Sequence, residues 1–180
     1  REIKLSENMK YLHAVSLLHS GEIEKAVFAF DQILMFNEEI KLDVMAEYES
    51  VVVSHPVNST LLLALYQMHL DEEQYVQAAH YLGKFLESDP TQIRDVITRF
   101  DQIVEKMPAD PEVWKQMLES ALSIDHGNLA HQILERAVSA MGEVEAAPLH
   151  IYGAMLYREN RNIEESLKCL AIALTSERSD

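Results

Sequence analysis

Apolar residues recur along this chain at helical spacings of three and four. Over residues 59–90, Leu62, Leu65, Tyr66 and His69 share one face, a polar turn spans residues 71–74, and Tyr75, Ala78, Leu82 and Phe85 share the next face. That period predicts two amphipathic helices joined by a short turn. The small side chain of Ala78 lets the two helices approach, while Leu82 and Phe85 fill the space toward a following hairpin.

The same pattern lies on residues 7–40, where Gly21 forms the turn and Ile23, Ala26, Phe30 and Ile33 repeat the second-helix spacing. It returns over residues 111–144, with Trp114, Met117, Leu118 and Ala121 followed by Ala130, Leu134 and Ala137. A fourth copy begins at Ala147 and carries Ala154, Tyr157, Ile163, Ser166, Leu170 and Ala173. Helix-start chemistry agrees with these boundaries. Asp110 before Pro111 is a capping side chain followed by a proline at the first helical position, and Asn162 with Glu165 has capping-box spacing.

The first three copies begin at residues 7, 59 and 111, a period of 52, and the fourth only 36 later. Each 52-residue unit therefore has room for a further helix, over residues 40–54 and 92–106. These two segments match: Asp43 with Asp95, Val44 with Val96, Tyr48 with Phe100, Val51 with Ile103 and Pro56 with Pro108. Their spacing copies that of Ala78, Leu82, Phe85 and Pro90, so each reads as a second-type helix without a first-type partner.

The repeat resembles the tetratricopeptide repeat family, whose unit is a helix-turn-helix of 34 residues with small residues at the helix crossing and a closing proline. The expectation is an all-α fold: a right-handed α-solenoid of tetratricopeptide-like hairpins at about residues 7–38, 59–90, 111–142 and 147–176, with two extra helices. The whole of residues 1–180 reads as one such repeat domain and as part of a longer chain. The resemblance also implies a binding groove lined by the first helices of the hairpins. Carried onto this sequence, that face holds Tyr11, Val15 and Leu18, then Leu63, Gln67 and Asp71, then Lys115 and Glu119, then Ile151, Met155 and Arg158. Tyr11 and Leu63 serve equally well as core. Family members that grip acidic chaperone tails use a basic and asparagine clamp; here Lys115 alone supplies such a charge and Glu119 opposes it. That ligand class is rejected in favour of a basic or amphipathic protein segment anchored by Tyr11, Val15, Leu63, Gln67, Lys115, Glu119, Ile151 and Met155.

Composition narrows the partners further. Thirty acidic against 15 basic residues give a net charge of −15, which repels a phosphate backbone and argues against nucleic acid. No run approaches the roughly 18 apolar residues of a membrane span. Cys169 is the one cysteine, so no internal disulfide forms and the compartment stays open, the cytoplasm slightly favoured. Eight histidines raise a metal site, yet His126 and His131 fall on different helix faces, and only His69 and His80 lie close enough in one hairpin to meet. Carboxylates cluster at turns and helix starts, where the helix dipole favours them. No catalytic, metal-binding or cofactor-binding residue is assigned, and none of the familiar catalytic motifs occurs.

The reading is a non-enzymatic protein-interaction scaffold. Its alternatives are a regulatory or sensor domain attached to an enzyme, and an assembly domain that self-associates through its terminal helices, since Leu167, Leu170, Ile172 and Leu174 leave the last helix without a polar cap.

Overall fold

In the computed structural model, residues 2–176 are described, with side chains from residue 8 onward. Among them the fold is all-α. The helices are α1 (Glu2–His19), α2 (Ile23–Leu34), α3 (Lys41–Val52), α4 (Ser59–Asp71), α5 (Tyr75–Ser88), α6 (Ile93–Lys106), α7 (Pro111–Ser123), α8 (Gly127–Met141), α9 (Glu143–Glu159) and α10 (Ile163–Ser176). One-turn 3-10 helices at Glu38–Ile40 and Pro90–Gln92 lead into α3 and α6.

Local chemistry sets many of these ends. Asp110 accepts from the Glu112 amide at 2.9 Å, Asn58 from Leu61 at 2.9 Å, and Asn162 from Glu165 at 3.3 Å. The helix α9 starts one turn before Ala147, because Gly142 turns the chain with φ of 99° and leaves Pro148 inside the helix.

The four tight turns share one backbone solution. Gly21, Glu73, Asp125 and Arg161 all have positive φ, at 83°, 57°, 55° and 61°. In each turn the next amide reaches back five residues: Glu22 to Leu17, Gln74 to His69, His126 to Ala121 and Asn162 to Tyr157. These are Schellman caps that end α1, α4, α7 and α9 and aim the chain into the following helix.

Burial follows the sequence spacing. Ala26, Ala78 and Ala130 are fully buried, as are Val44 and Val96, while Tyr48 and Phe100 are each 1% exposed. Two apolar clusters result, and α4 is the wall between them. Leu61, Leu65 and Met68 face the cluster built on Phe30 and Tyr48; Leu62 and Tyr66 face the one built on Leu82, Phe100 and Trp114.

Helices α1 with α2, α4 with α5, α7 with α8 and α9 with α10 pack as hairpins. Contacts also run to the helix after next: α1 to α3, α2 to α4, α5 to α7 and α7 to α9. Side chains extend the series, with Arg99 of α6 over the Tyr66 ring of α4 and Arg136 of α8 paired with Asp101 of α6. This is a two-layer array, odd-numbered helices on one side and even-numbered on the other. The helices α3 and α6 are regular members of it. Both stand outside the four hairpins, α3 packing on α1 and α4, and α6 on α5 and α7.

Candidate functional site

The parity of the array rearranges the groove expected from sequence. Three helices per 52-residue unit is an odd number, so equivalent helices change layer from one unit to the next. Consequently α1, α7 and α9 share a layer, and α4 lies in the other, packed on α2, α3 and α5. Leu63 and Gln67 do not join the remaining candidates. Leu63 is half-buried against the larger cluster, and Gln67 is exposed, donating to Asp71 at 2.7 Å. Asp71 also receives Lys41 of α3 at 3.3 Å.

At the α1 end, Tyr11 and Val15 are half-buried against the first cluster. The Tyr11 ring meets Phe30 edge-on at 5.6 Å, which in turn meets Tyr48 at 5.4 Å. Burial first, then Glu47 and Asp43 of α3, raises the Tyr11 pKa. Helix α3 thus stands beside this face, held to α1 by His19 and Glu47 at 3.1 Å. Leu18 is fully buried and lines no groove.

The candidates on α7 and α9 are the ones the structure brings together. Lys115 bonds Glu112 at 3.0 Å and lies 5.2 Å from the centre of the Tyr152 ring. The Tyr152 pKa is pushed up to about 12 by burial and then by the nearby Glu119 and Glu112 charges. Beside this network Ile151 and Met155, one turn apart on α9, are 40% and 49% exposed. Two apolar anchors next to a charged, partly desolvated patch can hold a segment that pairs both. Tyr152 was absent from the sequence-derived candidates; its position one residue beyond Ile151 was the available signal.

The remaining chemistry is structural among the described residues. His69 and His80 each contact Tyr81: His69 stacks on the ring at 5.1 Å and bonds Gln74, while His80 meets it edge-on at 5.3 Å and bonds Gln116. The His69 Nε2 lies 3.2 Å from Glu49 but out of hydrogen-bond alignment. His126 caps α8 by accepting from the Leu129 amide. Cys169 is buried, which pushes its thiol up to about 11. No group of three or more potential ligands stands together for a metal among the described residues, and no helix there is long and apolar enough to cross a membrane.

No family model and no curated protein matches the chain. The solved structures similar to it include two of MamA. One, a crystal structure of MamA, is 16% identical and covers 74% of this chain and 86% of its own, with a TM-score of 0.34. The other, MamA AMB-1, is 13% identical over 98% of this chain and 94% of its own, with a TM-score of 0.39. At scores this low the architecture rests on the helix contacts described above.

Proposed function

We propose that the chain is a protein-interaction scaffold that holds a peptide or helical segment of a partner on the face shared by α7 and α9. The observation that carries this reading is the pairing of exposed Ile151 and Met155 with the Glu112–Lys115–Tyr152–Glu119 network. Apolar anchors give contact area and the charges set orientation, which favours a basic or amphipathic segment on a chain of net charge −15. No catalytic role is assigned to any residue.

The test is a photocrosslinking amino acid placed at Met155, with the same group at exposed Gln102 of α6 as control. One partner segment should crosslink at 155 and not at 102, and Lys115→Glu, which makes the face more acidic, should strengthen capture of a basic segment. Equal capture at both positions would contradict the assignment of this face.

A second reading, self-association through the last helix, is favoured by one observation. Ile163, Leu167, Leu170 and Leu174 form an exposed stripe along α10 at spacings of four, three and four. Light scattering over a concentration series should show dimers that Leu170→Glu abolishes; a concentration-independent monomer excludes this reading.

A further inference from the structure

In the even layer α2 packs on α4, Arg99 of α6 lies over the Tyr66 ring of α4 and Arg136 of α8 pairs with Asp101 of α6, but α8 and α10 stand either side of a cleft of about 950 Å³. Leu134 and Val138 of α8 face Cys169 and Ile172 of α10 across it, and His150 of α9 contributes to its lining. His150 is only 4% exposed, and neither ring nitrogen has a hydrogen-bond partner. Leaving both a donor and an acceptor buried and unsatisfied is costly, on the order of 1–3 kcal/mol for each group. Burial, and then nearby His131, hold the His150 pKa below the ordinary histidine value, so the ring is neutral. A neutral imidazole has one donor and one acceptor nitrogen, and a hydroxyl, which both donates and accepts, can pair with either. At the rim, Glu135, Glu143 and Glu165 outnumber Lys168, which is itself tied to Glu164 and Glu165.

We propose that the α8–α10 cleft docks a basic amphipathic helix of a partner protein, with a tyrosine as anchor whose hydroxyl pairs with His150. The α8 wall runs from His131 to Ser139, about 12 Å at helical rise, which accommodates roughly two turns. Helix-in-groove docking supplies the geometry, the rim carboxylates select lysine and arginine flanks, and His150 selects tyrosine over phenylalanine. This site is separate from the α7–α9 face: Ile151 and Met155 lie on the exposed side of α9, and His150 on its buried side.

The test is selection of a displayed library of helical peptides on the whole chain, followed by titration of the selected peptide, its Tyr→Phe form and its Lys→Glu form. The expected result is tyrosine at one position flanked by basic residues, with at least tenfold weaker binding on Tyr→Phe and on Lys→Glu. In His150→Phe the Tyr-over-Phe preference should vanish while Ile172→Glu abolishes binding. The proposal is overturned if nothing is enriched, if acidic peptides are, or if the tyrosine preference survives His150→Phe. It is also overturned if Ile172→Glu instead dissociates a dimer of the chain, since a second copy would then occupy the cleft. Peptide swaps against the unaltered chain keep the result decisive even where a variant folds poorly.

Discussion

Three of the four hairpin turns place a side chain where glycine is the easier choice. Glu73, Asp125 and Arg161 adopt left-handed φ, a conformation that is unfavourable by roughly 1 kcal/mol for residues other than glycine. Glu73→Gly and Arg161→Gly should therefore each raise stability by about 0.5–1 kcal/mol in urea denaturation, with Asp125→Gly giving less because aspartate tolerates this region better. Gly83 is the opposite case. A Cβ there would stand 2.1 Å from Ser120 Oγ and 3.3 Å from its Cβ, so α5 and α7 approach only because Gly83 has no side chain. Gly83→Ala should destabilise by about 1–3 kcal/mol, and adding Ser120→Ala should recover part of the loss. His150 makes a pH prediction. Its folded pKa lies below 6.5, so on acidification the unfolded chain takes up the proton first. Its contribution is intact above about 6.5 and falls as the pH drops below that value, until the lower folded pKa is reached. Urea titrations between pH 5 and 8 should show a steeper acid loss for the natural chain than for His150→Leu; parallel curves would contradict the burial of a neutral ring.

At the scale of helices and hairpins, the second helix of each pair was the most legible feature. Ala26, Ala78 and Ala130 sit at fully buried crossings, and the matching Val44 and Val96 are fully buried too. Strict periodicity over a long helix leaves only one face that can be buried, so these positions read directly from the sequence. Leu82→Asp tests this level: with its side chain fully buried in the larger cluster, an unpaired carboxylate there should cost several kcal/mol and lose the cooperative transition seen by circular dichroism. What the sequence hid was partnership. The spacing of α3 matches α6 residue for residue, but which helices they touch depends on how the chain folds back, a non-local matter that periodicity does not encode. The start of α9 was hidden for a related reason: Ala147–Pro148 looks like a first turn, whereas the backbone freedom of Gly142 allows the helix to begin at Glu143.

Across the whole molecule, an odd number of helices per unit turns a regular sequence repeat into a structure whose equivalent surfaces alternate sides. That is why Leu63 and Gln67 part from Lys115, Glu119, Ile151 and Met155 even though all occupy equivalent repeat positions. Only the 36-residue step between α7 and α9 keeps neighbouring copies in one layer, so the candidate face lies there. Lys115→Glu belongs to this scale: exposed ion pairs contribute about 0–1 kcal/mol, so the melting transition should move little while capture of a basic segment rises. The unsatisfied His150 and the α8–α10 cleft have no sequence signature, since a histidine on an apolar helix face looks the same paired or unpaired.

The central claim is that, among the described residues, ten helices stack in order into an array whose faces stay open to partners, with contacts confined to near neighbours in the chain. Small-angle X-ray scattering on dilute, monomeric protein tests it most directly. A compact globule of this length would have a radius of gyration of about 16 Å. The account predicts a clearly larger value with a distance distribution skewed to long separations; a value near 16 Å with a symmetric distribution would contradict it.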